Sequence, residues 1–463
     1  MATTQVLKEA ALTRAKAARD ADLSDLFEEL RIPSISTLPE HREDCLRNAK
    51  WLQARLDRIG FKTELVQPIE NGLPVVAGEW NGRPGKPHLT IYGHYDVQPA
   101  DPLDEWQTPP FEPAIRDGRI FARGCADNKG NHMATLKAVE HLFAAGGPPI
   151  NLRFLIEGEE EIVGKSLPRY LRANGPKLKT DAVLVWDGGF DEEDNPTLAT
   201  GLRGLLYLEV HARGAAVDLH SGMFGGVAPN PINTLARIIG ELKDRNGHIT
   251  VPGLYDQVEP PSAEELADWK RKDERYAQAQ LQASGARVLE GEPGFMALER
   301  TGSRPTLDAN GFLGGFVGEG EKTVIPARAF AKVSLRLVPN QDPMAVKAAI
   351  EKHIQSLTTP GVEIDVKVLS SAPPVKCRVD NPAADALRAA YSEVFGKDTA
   401  LIRVGGSIPV SVDFQESIGA PLLMSGIAQA DAAAHSPNER LVVDNYLRGI
   451  EAVIRFICNL GEQ

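Results

Sequence analysis

Short apolar runs alternate with amphipathic stretches through the first half of the chain. Between about residues 63 and 200 the runs at 89–92, 152–156 and 182–186 are too short for helices and rich in aliphatic residues. Runs of that kind are expected of strands buried on both faces. Between the first two lies NKGNHMATLKAVEHLFAAGG, in which Met133, Leu136, Val139, Leu142 and Phe143 share one helical face. The alternation predicts βαβ units around a mainly parallel sheet. Ahead of it, two helical patterns cover about residues 4–30 and 40–59.

The texture changes near Arg203. LLYLEVHARG alternates like a half-buried strand and NPINTLARIIGELKD reads as a helix. Ser262 and Glu265 have capping-box spacing at the head of a charged helical stretch running to about residue 283. A strand at 330–338, a helix at 344–357 and a strand at 362–369 follow, closed by the proline-rich SSAPPV. The expected fold class is therefore α/β. A domain with a mainly parallel sheet flanked by helices, about 1–202 plus 376–463, is interrupted by a smaller inserted α+β domain at about 203–375. No internal repeat or low-complexity segment is evident.

Composition narrows the class without naming a chemistry. The chain has 463 residues, 42% hydrophobic and 25% charged, with net charge −12 from 51 basic and 63 acidic residues. Those values fit a globular protein of more than one domain, and the absence of a basic cluster argues against nucleic acid or an anionic membrane as partner. No apolar run approaches the roughly 18 residues that a membrane span requires. MATTQVLKEAALTRAKAARD reads as a charged helix rather than a signal sequence. Cys45, Cys125, Cys377 and Cys458 are scattered without CxxC spacing, as expected of reduced thiols in a cytoplasmic protein.

Chemistry gathers where the apolar runs end. HLTIYGHYD presents His94 and Asp96, FLIEGEEE ends in Glu157, Glu159, Glu160 and Glu161, and AVLVWDGG ends in Asp187. RIFARGCADNKG sets Asp127 just ahead of a helix, and AQADAAAHSPNERL supplies His435 in a small-residue loop. In a parallel α/β sheet ligands bind at the carboxyl ends of strands, so these groups are expected to share one crevice. So many carboxylates would repel one another strongly. Metal ions remove that objection, and mixed histidine nitrogens and carboxylate oxygens suit zinc, with manganese or cobalt also compatible. Two divalent ions would balance three ligand carboxylates and one hydroxide, which favours a two-metal site over a one-metal site.

GHYDVQP, ARGCADNKG, EGEEEI, DLHSGMFGG, KTVIPARAFAKVSLRLVPN, GGSIPV and AHSPNE occur in the order seen in the M20 family of dinuclear metallopeptidases. Together they span about residues 88–440, and the chain most resembles the carnosine/cytosolic non-specific dipeptidase branch. The resemblance implies two divalent ions per subunit, zinc by preference, with His94 and Asp187 on one and Glu161 and His435 on the other. Asp127 would bridge them, Asp96 would orient His94, and Glu160 would be the general base. A one-residue slip in EGEEEI would instead give Glu159 and Glu160 the last two roles. It further implies a homodimer in which His220 stabilises the oxyanion from the neighbouring subunit, the inserted domain serving as lid and dimerisation domain. Arg336 would clamp the terminal carboxylate of a small peptide, with Thr323 and Ser407 as further substrate contacts. Arg203 matches a family position too and is expected to be structural.

The implied activity is hydrolysis of the amide bond of dipeptides or similar small peptides. An amidohydrolase of N-acyl amino acids is the alternative, against which Asp187 leans, because glutamate is usual at that position in aminoacylase-like members. A silent metal-binding protein is a third possibility, disfavoured by the presence of both Glu160 and His220. His132 and His141 are expected to be exposed or packing histidines, and Cys125 is not expected to act as a nucleophile.

Overall fold

Seven consecutive residues, Asn151–Glu157, are all buried and form a central strand of a six-stranded sheet. In the computed structural model, which describes residues 3–405, 408 and 410–462, the sheet runs Lys62–Val66, Val75–Trp80, Asn151–Glu157, His88–His94, Ala182–Gly189, Leu422–Ala428. The last four strands are mutually parallel, and the first two add an antiparallel edge. The sheet is thus mixed and mostly parallel. The three apolar runs picked out by pattern are three of its four inner strands, buried on both faces as such runs require.

Helices cover the sheet. Lys129–Ala144 is buried along nearly its whole length, and the C-terminal helix Val443–Gly461 buries Tyr446, Leu447, Ile450, Val453, Ile454 and Ile457 against the same core. The amphipathic pattern at 4–30 resolves into two helices, Thr4–Ala17 and Arg19–Leu30. No glycine or proline marks the break at Ala18. Both halves pack on Lys129–Ala144, and both touch the C-terminal helix, the second through Tyr446 Oη donating to the Asp22 carbonyl at 3.2 Å.

The chain divides into two compact units, one of Met1–Thr200 with Cys377–Leu401 and a C-terminal segment from Ile408, the other of Gly201–Lys376 with a short segment from Ile402. The second unit holds a four-stranded antiparallel sheet in the order Thr306–Gly314, Arg328–Leu337, Gly204–Arg213, Glu363–Ala372. Helices Pro231–Glu241 and Pro343–Leu357 pack against its buried Leu206, Leu208, Val210, Val333 and Leu335. The capping box forms as the spacing predicts, with Ser262 Oγ accepting from Glu265 N and Glu265 Oε2 from Ser262 N. No helix among the described residues is long and apolar enough to cross a membrane.

Candidate metal centre

Register brings the ligand-type residues together. His94 pairs with Glu157 across the parallel ladder, and the neighbouring ladder aligns Tyr92 with Val185, so His94 and Asp187 emerge at the same level of the sheet. Asp127 enters from the turn before Lys129–Ala144, and Glu160 and Glu161 lie on the single 3-10 turn Glu160–Ile162 that follows strand Asn151–Glu157. His435 comes from the 433–438 loop, where Ala433, His435 and Asn438 all hold positive φ, near +55 to +60°. Three left-handed residues in one short loop are costly, and such strain collects at functional sites.

The geometry is that of two donor groups sharing one carboxylate. Asp127 Oδ1 lies 3.1 Å from His94 Nε2, and its Oδ2 lies 3.0 Å from His435 Nε2. Asp187 Oδ1 stands 3.7 Å from His94 Nε2 and Glu161 Oε2 3.2 Å from His435 Nε2. Within His94, Asp127 and Asp187, and again within Asp127, Glu161 and His435, one ligand atom from each residue falls within 4.8 Å of the others.

Metal ions fit this donor set. The Glu161 side chain is 2% exposed, yet its Oε1 is buried with no hydrogen-bond partner among the described residues, a costly state for a carboxylate unless a cation meets it. The pocket also demands positive charge. Burial alone would lower the His94 pKa, but Asp187 and Asp127 hold it well above the usual histidine range. Asp127 and Glu161 raise His435 to about 10. His94 Nδ1 faces the Asp96 main-chain carbonyl at 3.0 Å, a group that can only accept. That bond puts the proton on Nδ1 and leaves the Nε2 lone pair for an ion.

The neighbouring carboxylates divide by environment. Burial, together with Asp187, Asp127 and Asp96, pushes Glu160 up to about 8. Glu159, by contrast, is turned into the protein, its Oε1 accepting from Leu73 N at 2.7 Å and its Oε2 from Ser166 N at 3.1 Å. Glu157 accepts from Tyr92 Oη at 2.9 Å. The expectation that all four glutamates share the crevice is therefore corrected, because backbone amides and a tyrosine take two of them. Asp96 also does more than expected. Its carboxylate is 3.4 Å from His94 Nδ1 but accepts from Glu161 N at 3.1 Å, Glu160 N at 3.3 Å and Ser36 Oγ at 2.7 Å. It ties the glutamate turn to the strand end that carries His94.

Glu439 escaped notice in the sequence. It is fully buried, and its carboxylate accepts from Arg123 Nη1 at 2.7 Å and from the main-chain N–H of Gly124, Ala126 and Asp127 at 2.8–3.0 Å. The acid in AHSPNE was visible, but nothing local showed that it braces the turn holding Asp127. Glu439→Ala should strand a buried guanidinium and three amides, costing about 3–5 kcal/mol. Denaturant unfolding of the variant checks this, and a change below about 1 kcal/mol would contradict it. His132 and His141 are buried, not exposed, and face Glu29 and Asp22 at 2.8 Å. The four cysteines are buried and free, and burial raises the Cys125 thiol well above its usual range.

In the second unit, strand Leu219–His220 pairs with Val324–Ile325, setting His220 beside Thr323, whose carbonyl accepts from Ser221 N at 3.1 Å. His220 is exposed, and its Nδ1 accepts from Gly222 N at 3.0 Å. The proton of the neutral ring is thereby placed on Nε2. Arg336 lies on strand Arg328–Leu337 opposite Leu205, on the sheet face not covered by the two helices. The Arg203 main-chain N–H donates to the Val404 carbonyl, and its buried Nε has no hydrogen-bond partner among the described residues. Ser407 lies outside the described residues.

Comparison with known proteins gives a consistent answer. Residues 90–459 match the model of peptidase family M20/M25/M40. The Cys-Gly metallodipeptidase dug1 of Schizosaccharomyces pombe is 31% identical over 459 residues, covering 96% of each chain. Human Beta-Ala-His dipeptidase is 30% identical, over 93% of this chain and 87% of the relative. Among solved structures, human carnosine dipeptidase 1 superposes with a TM-score of 0.77 at 29% identity, covering 99% of both chains.

Proposed function

The chain belongs to peptidase family M20/M25/M40, and from that premise we propose that it is a metallodipeptidase hydrolysing the amide bond of dipeptides or similar small peptides. The observation that carries the proposal is the pair of donor groups sharing Asp127, with the unshared carboxylate of Glu160 on the adjoining turn. His94, Asp187 and Asp127 would hold one divalent ion, and Asp127, Glu161 and His435 a second, zinc by preference and manganese or cobalt as alternatives. When bound, the ions would polarise the scissile carbonyl and ease deprotonation of the attacking water.

The remaining chemistry falls to side chains. Glu160 takes a proton as water oxygen adds to the carbonyl carbon, then delivers it to the nitrogen as the C–N bond breaks, giving a free carboxylate and an amine. Environment supports Glu160 over Glu159, since both oxygens of Glu159 are occupied by backbone amides. His220 donates through Nε2–H to the oxyanion, consistent with the ring form its contact with Gly222 favours. The guanidinium of Arg336 takes the terminal carboxylate as a two-pronged donor, with Thr323 and Ser407 beside the substrate.

The test of substrate class is hydrolysis of matched pairs, a free dipeptide against the corresponding N-acyl amino acid, after loading with zinc or manganese. Turnover confined to the free dipeptides is expected. Preference for the N-acylated member would favour the amidohydrolase, and loaded protein silent towards both would favour a binding role.

His220 is proposed to act on the partner subunit's centre in a homodimer, the second unit serving as lid and dimerisation domain. His220→Ala and Glu160→Gln, each nearly inactive alone, should complement when dissociated together and reassembled. With random pairing half the dimers are mixed, and one site in each mixed dimer is intact, so about a quarter of sites should recover. Mixed dimers verified by mass but inactive would rule out the trans arrangement.

A further inference from the structure

Asn128 follows Asp127 directly, is fully buried, and makes three hydrogen bonds that join the two strand ends flanking the first donor group. Its Oδ1 accepts from the main-chain N–H of His94 at 3.2 Å. Its Nδ2 donates to the carbonyl of Trp186 at 2.9 Å and to Asp187 Oδ1 at 2.5 Å. The orientation of the amide is fixed by these partners, because an N–H must face an oxygen, and a carbonyl and a carboxylate must face the NH2. Both amide hydrogens are used, and no other side chain of similar size offers one acceptor and two donors in that layout. The strand is shaped to admit it, since a Cβ on Gly93 would come within 2.9 Å of Asn128 Oδ1 and 2.6 Å of His132 Cβ.

We propose that Asn128 is the positioning residue for one ion only, the ion held by His94 and Asp187. The inference rests on those residues being metal ligands. Asn128 fixes the backbone that carries His94 and the rotation of the Asp187 carboxylate, and so sets the spacing of two ligands of a single ion. Among the described residues its side chain makes no hydrogen bond to Glu161 or His435. Those residues are held by Gln98, whose Nε2 donates to Glu161 Oε2 at 2.7 Å, and by the 433–438 loop. Loss of the Asn128 amide should therefore loosen one ion and spare the other.

Asn128→Asp tests this most directly. It keeps the shape and the acceptor for His94 N–H but turns the donor into a carboxylate facing Trp186 O and Asp187 Oδ1. The full-length chain is stripped of metal, and zinc is titrated back against a chromophoric chelator. Wild type should take up two ions, whereas in Asn128→Asp one site should weaken about 10–100-fold, the usual effect of losing a group that orients a ligand, with the other within about twofold. Asn128→Ser, which deletes the amide without adding charge, should show the same selective loss to a smaller degree, and decides the matter alone if Asn128→Asp does not fold. Equal weakening of both ions, or unchanged affinities with only a lower melting temperature of the metal-free chain, would overturn the inference and leave Asn128 a structural residue. A wild-type chain that takes up no zinc would overturn the metal-centre reading itself, and this inference with it.

Discussion

Glu160→Gln is expected to lower kcat by roughly 10²–10⁴, the range for loss of a general base, while the bound metal content stays that of wild type. The substitution is nearly isosteric and removes only the ability to accept and return a proton. Glu160 lies beside His94, Asp187 and Asp127, but belongs to neither group of convergent ligand atoms. Glu161→Gln should behave differently. Its Oε2 faces His435 and its Oε1 is buried without a hydrogen-bond partner among the described residues, so replacing that oxygen should weaken retention of one ion before any effect on the chemical step is read. Metal analysis beside steady-state kinetics separates the two. Loss of metal in Glu160→Gln with metal retained in Glu161→Gln would mean that the roles are exchanged, and comparable behaviour of Glu159→Gln would mean that the register is displaced by one.

Removal of metal should abolish activity altogether. Dialysis against a strong chelator, followed by zinc, manganese or cobalt, should restore turnover, and the order of restoration identifies the preferred ion. The same experiment has a reading in stability. Three carboxylates of the two donor groups lie within 4.8 Å of their imidazole partners, and without cations that charge is balanced only by protons on His94 and His435. Ions that bind the native state alone stabilise it, by about 2.7 kcal/mol for each at a hundredfold excess over Kd. The melting temperature should therefore rise on reloading, in parallel with activity. Full turnover in a preparation verified as metal-free would overturn the proposed mechanism.

Much of this was legible in the residues. Strands buried on both faces must be apolar from end to end, so His88–His94, Asn151–Glu157 and Ala182–Gly189 announced themselves, and parallel strands put their polar endings at one edge. His94, Asp187 and the glutamate run could be read from that rule, and the order of the motifs supplied the family. The inserted β-α-β grouping was legible for the same reason, since helical and alternating periods differ.

What the sequence could not decide depends on direction rather than position. Three successive glutamates are equivalent as letters. Only the turn after Asn151–Glu157, pinned through Glu160 N and Glu161 N by Asp96, sends Glu159 inward to Leu73 and Ser166. Asp127 could be read as a ligand, but its position between imidazoles from opposite ends of the chain depends on Glu439 holding its turn and on the strained loop of His435. Asn128 and Glu439 carry little local signal. Apart from Asp187 and Arg123, the partners given above are main-chain groups, which are the same at every residue, so the pattern of side chains along the sequence does not point to them. Local periodicity determined which segments are buried and therefore where the strands end. Tertiary packing decided which polar side chains at those ends are used up by backbone amides and which are left for chemistry.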